Sequence, residues 1–179
     1  MTARATIALL LTLAGCAEPA RHEPKAQPAP AAPAAPIVTD RTRYLFTDGQ
    51  FGREVTIIST LTAPPDRDIY LVNCNGAFTT GLQRQVAGKW ENAWVASTNA
   101  CFSQPIKVVA GARHTGTLII RRGSGAVVNG RATDEALPPG TYRVIWHNVL
   151  TSYDPNDLTS RNELPIEQRV SAPIVLADR

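Results

Sequence analysis

TYRVIWHNV, residues 141–149, alternates along its length. Tyr142, Val144 and Trp146 fall on one face, and Arg143, Ile145 and His147 fall on the other. A period of two is the signature of a strand half-buried in a sheet. Pro138-Pro139-Gly140 introduces the segment as a turn. Tyr142 and Trp146 are therefore expected in a core, with Trp146 beside Val144.

The same reading extends outward. EVTIISTL (54–61) is a strong strand, and Arg43 to Thr47 reads as a short strand before it. Ala63 to Asp68 is a proline and aspartate turn. IYLVNC (69–74) is apolar nearly throughout and suggests a strand covered on both sides. Leu82 to Val86 and Trp90 to Trp94 flank Ala87-Gly88-Lys89 as a hairpin. A three-residue loop there would set Val86 against Trp90, Arg84 against Asn92 and Leu82 against Trp94. Ile106 to Val109 and Thr115 to Arg121 follow, and Ile166 to Leu176 closes the chain with Pro173 marking a bulge or edge. No twelve-residue stretch has helical periodicity, although Asp157 to Glu163 allows one helical turn. About seven short strands at this spacing predict an all-β, antiparallel sandwich.

The first 36 residues belong to a different regime. Met1 to Arg4 is short and positive, and Ala5 to Ala14 is almost wholly apolar. That run is shorter than the ~20 residues a transmembrane helix needs. It has the order of a signal peptide. Its end, Leu13-Ala14-Gly15-Cys16, resembles the bacterial lipobox. The resemblance implies cleavage before Cys16, a diacylglycerol on its sulfur and an acylated amino terminus. Several acyl chains anchor a protein stably, where one does not. Ala17 in place of Asp favours the outer membrane if the source has two membranes.

Residues 17–36 carry prolines at 19, 24, 28, 30, 33 and 36, with alanine between them. Such a stretch favours extended polyproline II and buries nothing. At about 3.1 Å per residue it would reach roughly 60 Å when fully extended. The expected organisation is a signal peptide over 1–15, a lipidated Cys16 with a disordered linker over 16–36, and one domain over 37–179.

Lys and Arg total 18 against 15 for Asp and Glu. The charge is thinly spread, with no dense basic stripe of the kind nucleic acid requires. Export points the same way, so no nucleic-acid partner is expected. With Cys16 committed to lipid, Cys74 and Cys101 remain. Two thiols in an oxidising compartment point to a disulfide. It would stabilise the fold by roughly 3–4 kcal/mol in the chain-entropy account. The alternatives are a catalytic thiol, with only His114 and His147 as bases in the domain, or a metal site, for which no ligand spacing is present.

DRDIYLVNC, GKWENAW, PIKVVAGA after the second domain cysteine, PGTYRVIW and PIEQRVSAPIVL together resemble bacterial immunoglobulin-like sandwich domains of exported and lipid-anchored proteins. The resemblance covers residues 40–177 and implies an immunoglobulin-like sandwich. Gly88-Lys89-Trp90 and Pro139-Gly140-Thr141-Tyr142 also resemble pieces of the intracellular proteinase inhibitor family. That family's aromatic-glycine-tyrosine stretch is missing here, so no inhibitory residue carries over.

Asp154-Pro155-Asn156-Asp157 with Glu163 lacks the glycine and glutamate an EF-hand needs, and reads as a surface turn. Arg121-Arg122-Gly123-Ser124-Gly125 is a weak anion-binding candidate and otherwise a strand exit. Trp90 and Trp94 are candidates for a platform under a sugar or an aromatic side chain. No Gly-x-Ser-x-Gly, HExxH or SxxK motif is present. The reading is a non-enzymatic envelope lipoprotein, without cofactor or metal, held to a membrane by its lipid. It either binds an envelope protein or surface polymer through loops 75–81, 95–105 and 150–165 or an open sheet edge, or supports a neighbouring complex. A proteinase inhibitor is the alternative, and a hydrolase ranks below it.

Overall fold

The computed structural model describes residues 35–49, 52–96, 103–121, 126–128, 131–133, 137–156 and 162–178. The expected signal peptide, Cys16 and the linker up to residue 34 lie outside these residues. Among the described residues the chain forms β1 (Ile37–Thr39), β2 (Arg43–Leu45), β3 (Thr47–Gly49), β4 (Gly52–Thr62), β5 (Ile69–Leu71), β6 (Asn73–Cys74), β7 (Ala77–Phe78) and β8 (Thr80–Val86). It continues with β9 (Lys89–Val95), β10 (Ile106–Val108), β11 (Arg113–Arg121), β12 (Ala126–Val128), β13 (Arg131–Thr133), β14 (Gly140–Trp146), β15 (Val149–Leu150) and β16 (Ile174–Ala177). A single 3-10 turn spans Ile166–Gln168.

The fold is all-β and sandwich-like. One sheet runs β1-β4-β11, with β3 also on β4. A second runs β2-β16-β14-β8-β9, and a third runs β10-β5-β15. Among the described strands pairing is antiparallel except between β2 and β16, which are parallel, and an isolated bridge from Ile37 to Ser171 is parallel too. Alternation explains the burial. Val55, Ile57, Ser59 and Leu61 of β4 turn inward, as do Leu118 and Ile120 of β11. Leu82, Tyr142, Val144, Trp146, Ile174 and Leu176 face them from the second sheet and share one core with them. Burial of such side chains stabilises by about 1.5–3 kcal/mol each.

Several expected strands divide where the chain changes sheet. Residues 43–47 split between β2 in the second sheet and β3 in the first. The 69–74 run breaks at Val72, and Tyr70 between its buried neighbours Ile69 and Leu71 is only half-buried. The 141–149 run stops at Trp146, because Asn148 takes φ 53° and sends β15 to the third sheet. Ile166 to Leu176 is not one strand. Its first part is the 3-10 turn, and only Ile174–Ala177 forms a strand. Between the pairs Tyr142↔Ile174 and Ile145↔Val170, two residues of β14 face three of the closing segment. Pro173 sits in that bulge, where its missing N–H costs no ladder bond.

The hairpin of β8 and β9 has a two-residue turn, not three. Ala87 and Gly88 take φ 47° and 80°, the left-handed pair of a type I′ turn. Val86 therefore pairs with Lys89, Gln85 with Trp90 and Gln83 with Asn92. Leu82 does pair with Trp94, because Ala93 is an extra residue in β9 that shifts the register there.

Candidate functional site

A groove of about 700 Å³ runs between β11 and the start of β8, with the β6–β7 hairpin along one wall. Asn75 and Gly76 make the hairpin's turn, at φ 50° and 84°. The Asn73 carboxamide oxygen accepts the Gly76 N–H at 2.9 Å, and its amide group donates to the Gln104 carbonyl at 2.8 Å. The Asn75 N–H donates to the Ser103 hydroxyl at 2.9 Å. These bonds tie the hairpin to the chain entering β10.

Aromatic rings line the inner end. The Phe78 ring lies 4.4 Å from that of Trp146 and 5.3 Å, edge-on, from His114. Gly116 is what allows this, because a Cβ there would overlap the Phe78 ring. Trp94 contributes to the floor, is only 7% exposed, and its indole N–H finds no acceptor among the described residues. Burial of His114 lowers its pKa, so the groove presents a neutral imidazole near pH 7. The lining is thus aromatic and aliphatic, with a few polar groups and the edge of a strand.

The candidates from sequence scatter. Cys101 and Arg122 lie outside the described residues, while Cys74 is half-buried on β6. Arg121 ends β11 and pairs with Glu54 at 3.2 Å. Trp90 and Trp94 do not form one platform. Four positions apart in a regular strand they would share a face, but the extra residue at Ala93 puts them on opposite faces of the sheet. Trp94 joins the core. Trp90 lies on the outer face under the Arg143 guanidinium, 4.6 Å from the ring centroid. Arg143 Nε donates to Gln83 Oε1 at 2.7 Å, and Gln83 Nε2 donates to Asn92 Oδ1 at 3.1 Å.

His147 sits near Gly81 with its Nε2 buried and without a hydrogen-bond partner among the described residues. Its pKa is lowered by burial first and by Arg169 second, with Glu163 opposing. Arg169 and Glu163 themselves pair at 2.8 Å. Asp154 accepts the Asn156 N–H at 2.8 Å, an Asx turn, while Asp157 lies outside the described residues. Among the described residues no three His, Cys, Asp or Glu side chains converge on one point.

Two features escaped the reading of the sequence. Asn75-Gly76 is a strong local hairpin signal that the apolar run before it obscured. The Gln83–Asn92 pair follows only from the correct hairpin register. No family model and no curated protein matches the sequence.

Proposed function

We propose that this chain is a lipid-anchored protein of the bacterial cell envelope, with Cys16 as its acylated first residue and 17–36 as its tether. On this reading the domain 37–179 is a non-enzymatic binding module, and its partner is another envelope protein seated in the groove beside β11. The observation that carries it is that groove, whose lining mixes apolar side chains with polar ones such as His114, Thr115 and Thr117 and adjoins a sheet edge. Pockets of this size and composition are the usual place for a ligand on a rigid scaffold. No helix among the described residues is long and apolar enough to cross a membrane.

The domain is of immunoglobulin type in this proposal. Three features support it. β1 and β2 are consecutive yet join different sheets, and β2 runs parallel to β16. The Tyr142 hydroxyl donates to the Pro138 carbonyl at 2.6 Å, as in the tyrosine corner of such domains. Val144 then stands where antibody domains carry their second cysteine. The proposed disulfide is instead Cys74–Cys101. It is supported by the Asn75–Ser103 bond, which holds residue 103 beside the strand of Cys74.

Photocrosslinking from the full chain in its native envelope tests the groove. A benzophenone side chain at Ile119, in the groove, should give a discrete protein adduct, and one at Val175, on the outer face of the second sheet, should not. Adducts from Val175 alone would reject the groove as the binding surface.

A further inference from the structure

We infer that the groove's occupant is an extended polypeptide segment that adds to the free edge of β11 as a new strand. This deepens the binding reading above and rests on it.

The lining itself shows the direction. Residues 114–119 of β11 all border the groove. Successive strand residues point to opposite faces, so a space that touches all of them runs along the strand's edge and not across a face. At that edge the backbone is available. The Ala63 N–H donates to the Ala112 carbonyl at 2.9 Å, one step beyond the pair Arg113↔Thr62. In an antiparallel ladder hydrogen-bonded pairs alternate with non-bonded ones. His114, Gly116, Leu118 and Ile120 therefore bond to β4, while Thr115, Thr117 and Ile119 turn their N–H and C=O groups outward. The far side of β4 agrees. Thr62 donates to Pro36 at 3.2 Å and Asp40 donates to Ile58 at 3.0 Å, so the even residues of β4 serve β1 and the odd ones serve β11. Among the described residues nothing pairs with the outward groups of Thr115, Thr117 and Ile119.

Proteins normally blunt their sheet edges. Here β1 and β2 are three residues long, and β9 carries the bulge at Ala93. β11 has none of these defences. It holds nine residues in unbroken register with β4, from Arg113↔Thr62 to Arg121↔Glu54, and its interior HTGTLII has no proline, lysine or arginine. An edge this long and regular invites a strand, and the Phe78 and Trp94 rings beside it offer pockets for the guest's inward side chains.

The same residues choose among guests. A second copy pairing antiparallel about Thr117 would set Arg113 of one chain against Arg121 of the other at both ends, and since Arg121 already pairs with Glu54 it offers Arg113 no carboxylate of its own. The chain's own 17–36 segment has too many prolines to donate a ladder of N–H groups. A segment of another protein with alternating apolar residues and an acidic end meets both the edge and the exposed Arg113 at its start.

Residue-resolved amide exchange on the full chain in detergent micelles tests this. The probe is a short synthetic peptide alternating Val and Thr, with Glu at each end. Without it, the amides of Thr115, Thr117 and Ile119 should exchange far faster than those of Gly116 and Leu118. At millimolar peptide they should slow by about tenfold or more. Thr117→Lys and Ile119→Lys, whose side chains are exposed, should abolish that protection, while Thr117→Val should keep it. A peptide N-methylated along its ladder amides should protect nothing. Absent protection, or equal protection by the methylated peptide, overturns strand addition, as does peptide-free protection that rises with protein concentration. If Phe78, Trp94 and His114 side-chain resonances shift while the β11 amides do not, the groove stands and strand addition falls. If nothing shifts, both fall.

Discussion

Trp146 donates its indole N–H to the Ser59 hydroxyl at 3.0 Å, and both residues are fully buried. The bond crosses the core from β14 to β4, which makes a polar contact part of the attachment between the two sheets. Ser59→Ala leaves the indole N–H buried without an acceptor. We expect a loss of about 1–3 kcal/mol, read from the urea midpoint at unchanged m-value. A variant as stable as the parent would show that water satisfies the indole.

The Phe78 ring lies directly against Gly116 of β11. Gly116→Ala places a methyl against the Phe78 ring. Overpacking of this kind costs about 1–3 kcal/mol. It should also displace the ring from Trp146 and close the inner end of the groove. Thermal unfolding and the Phe78 ring resonances would report the two effects separately.

Ala87 holds φ 47° at the first central position of the type I′ turn, where asparagine and glycine are preferred. An ordinary L-residue there costs about 1 kcal/mol. Ala87→Asn should therefore stabilise the domain by up to about 1 kcal/mol. Unchanged stability would mean that the hairpin absorbs the strain.

His114 and His147 both have pKa values lowered in the fold, His114 by burial and His147 by burial and then Arg169, with Glu163 opposing. The unfolded chain therefore binds protons more readily in this range. Stability is fully present above the ordinary histidine value of 6.5 and is lost as pH falls through the lowered folded values. Urea midpoints should fall between neutral pH and about pH 5, and the fall should shrink in His147→Gln. A midpoint that rises on acidification would refute this assignment.

Much of the sheet structure was legible because it is local. The alternation in β4, β11 and β14 follows directly from side-chain type, and so does the burial of Tyr142, Val144 and Trp146. Pro173 correctly marked an irregularity, since its ring cannot serve a ladder. What was not legible depends on single backbone angles or on distant pairing. Ala87 carries no outward sign of a left-handed conformation, so the hairpin register was one residue off. The extra residue at Ala93 then reversed the face of Trp94 relative to Trp90. Asn148 ended β14 inside an alternating run. The open edge of β11 is a property of sheet order, which no stretch of nine residues contains.

We propose that an oxidised sheet domain is held outside the cytoplasm on a lipid. Intact-mass and peptide-level spectrometry of the protein extracted from membranes tests that most directly. We expect a chain that begins at Cys16 with the mass of its acyl groups, and a single linked peptide pair joining Cys74 to Cys101. A chain that begins at Met1, with all three thiols free, would contradict it.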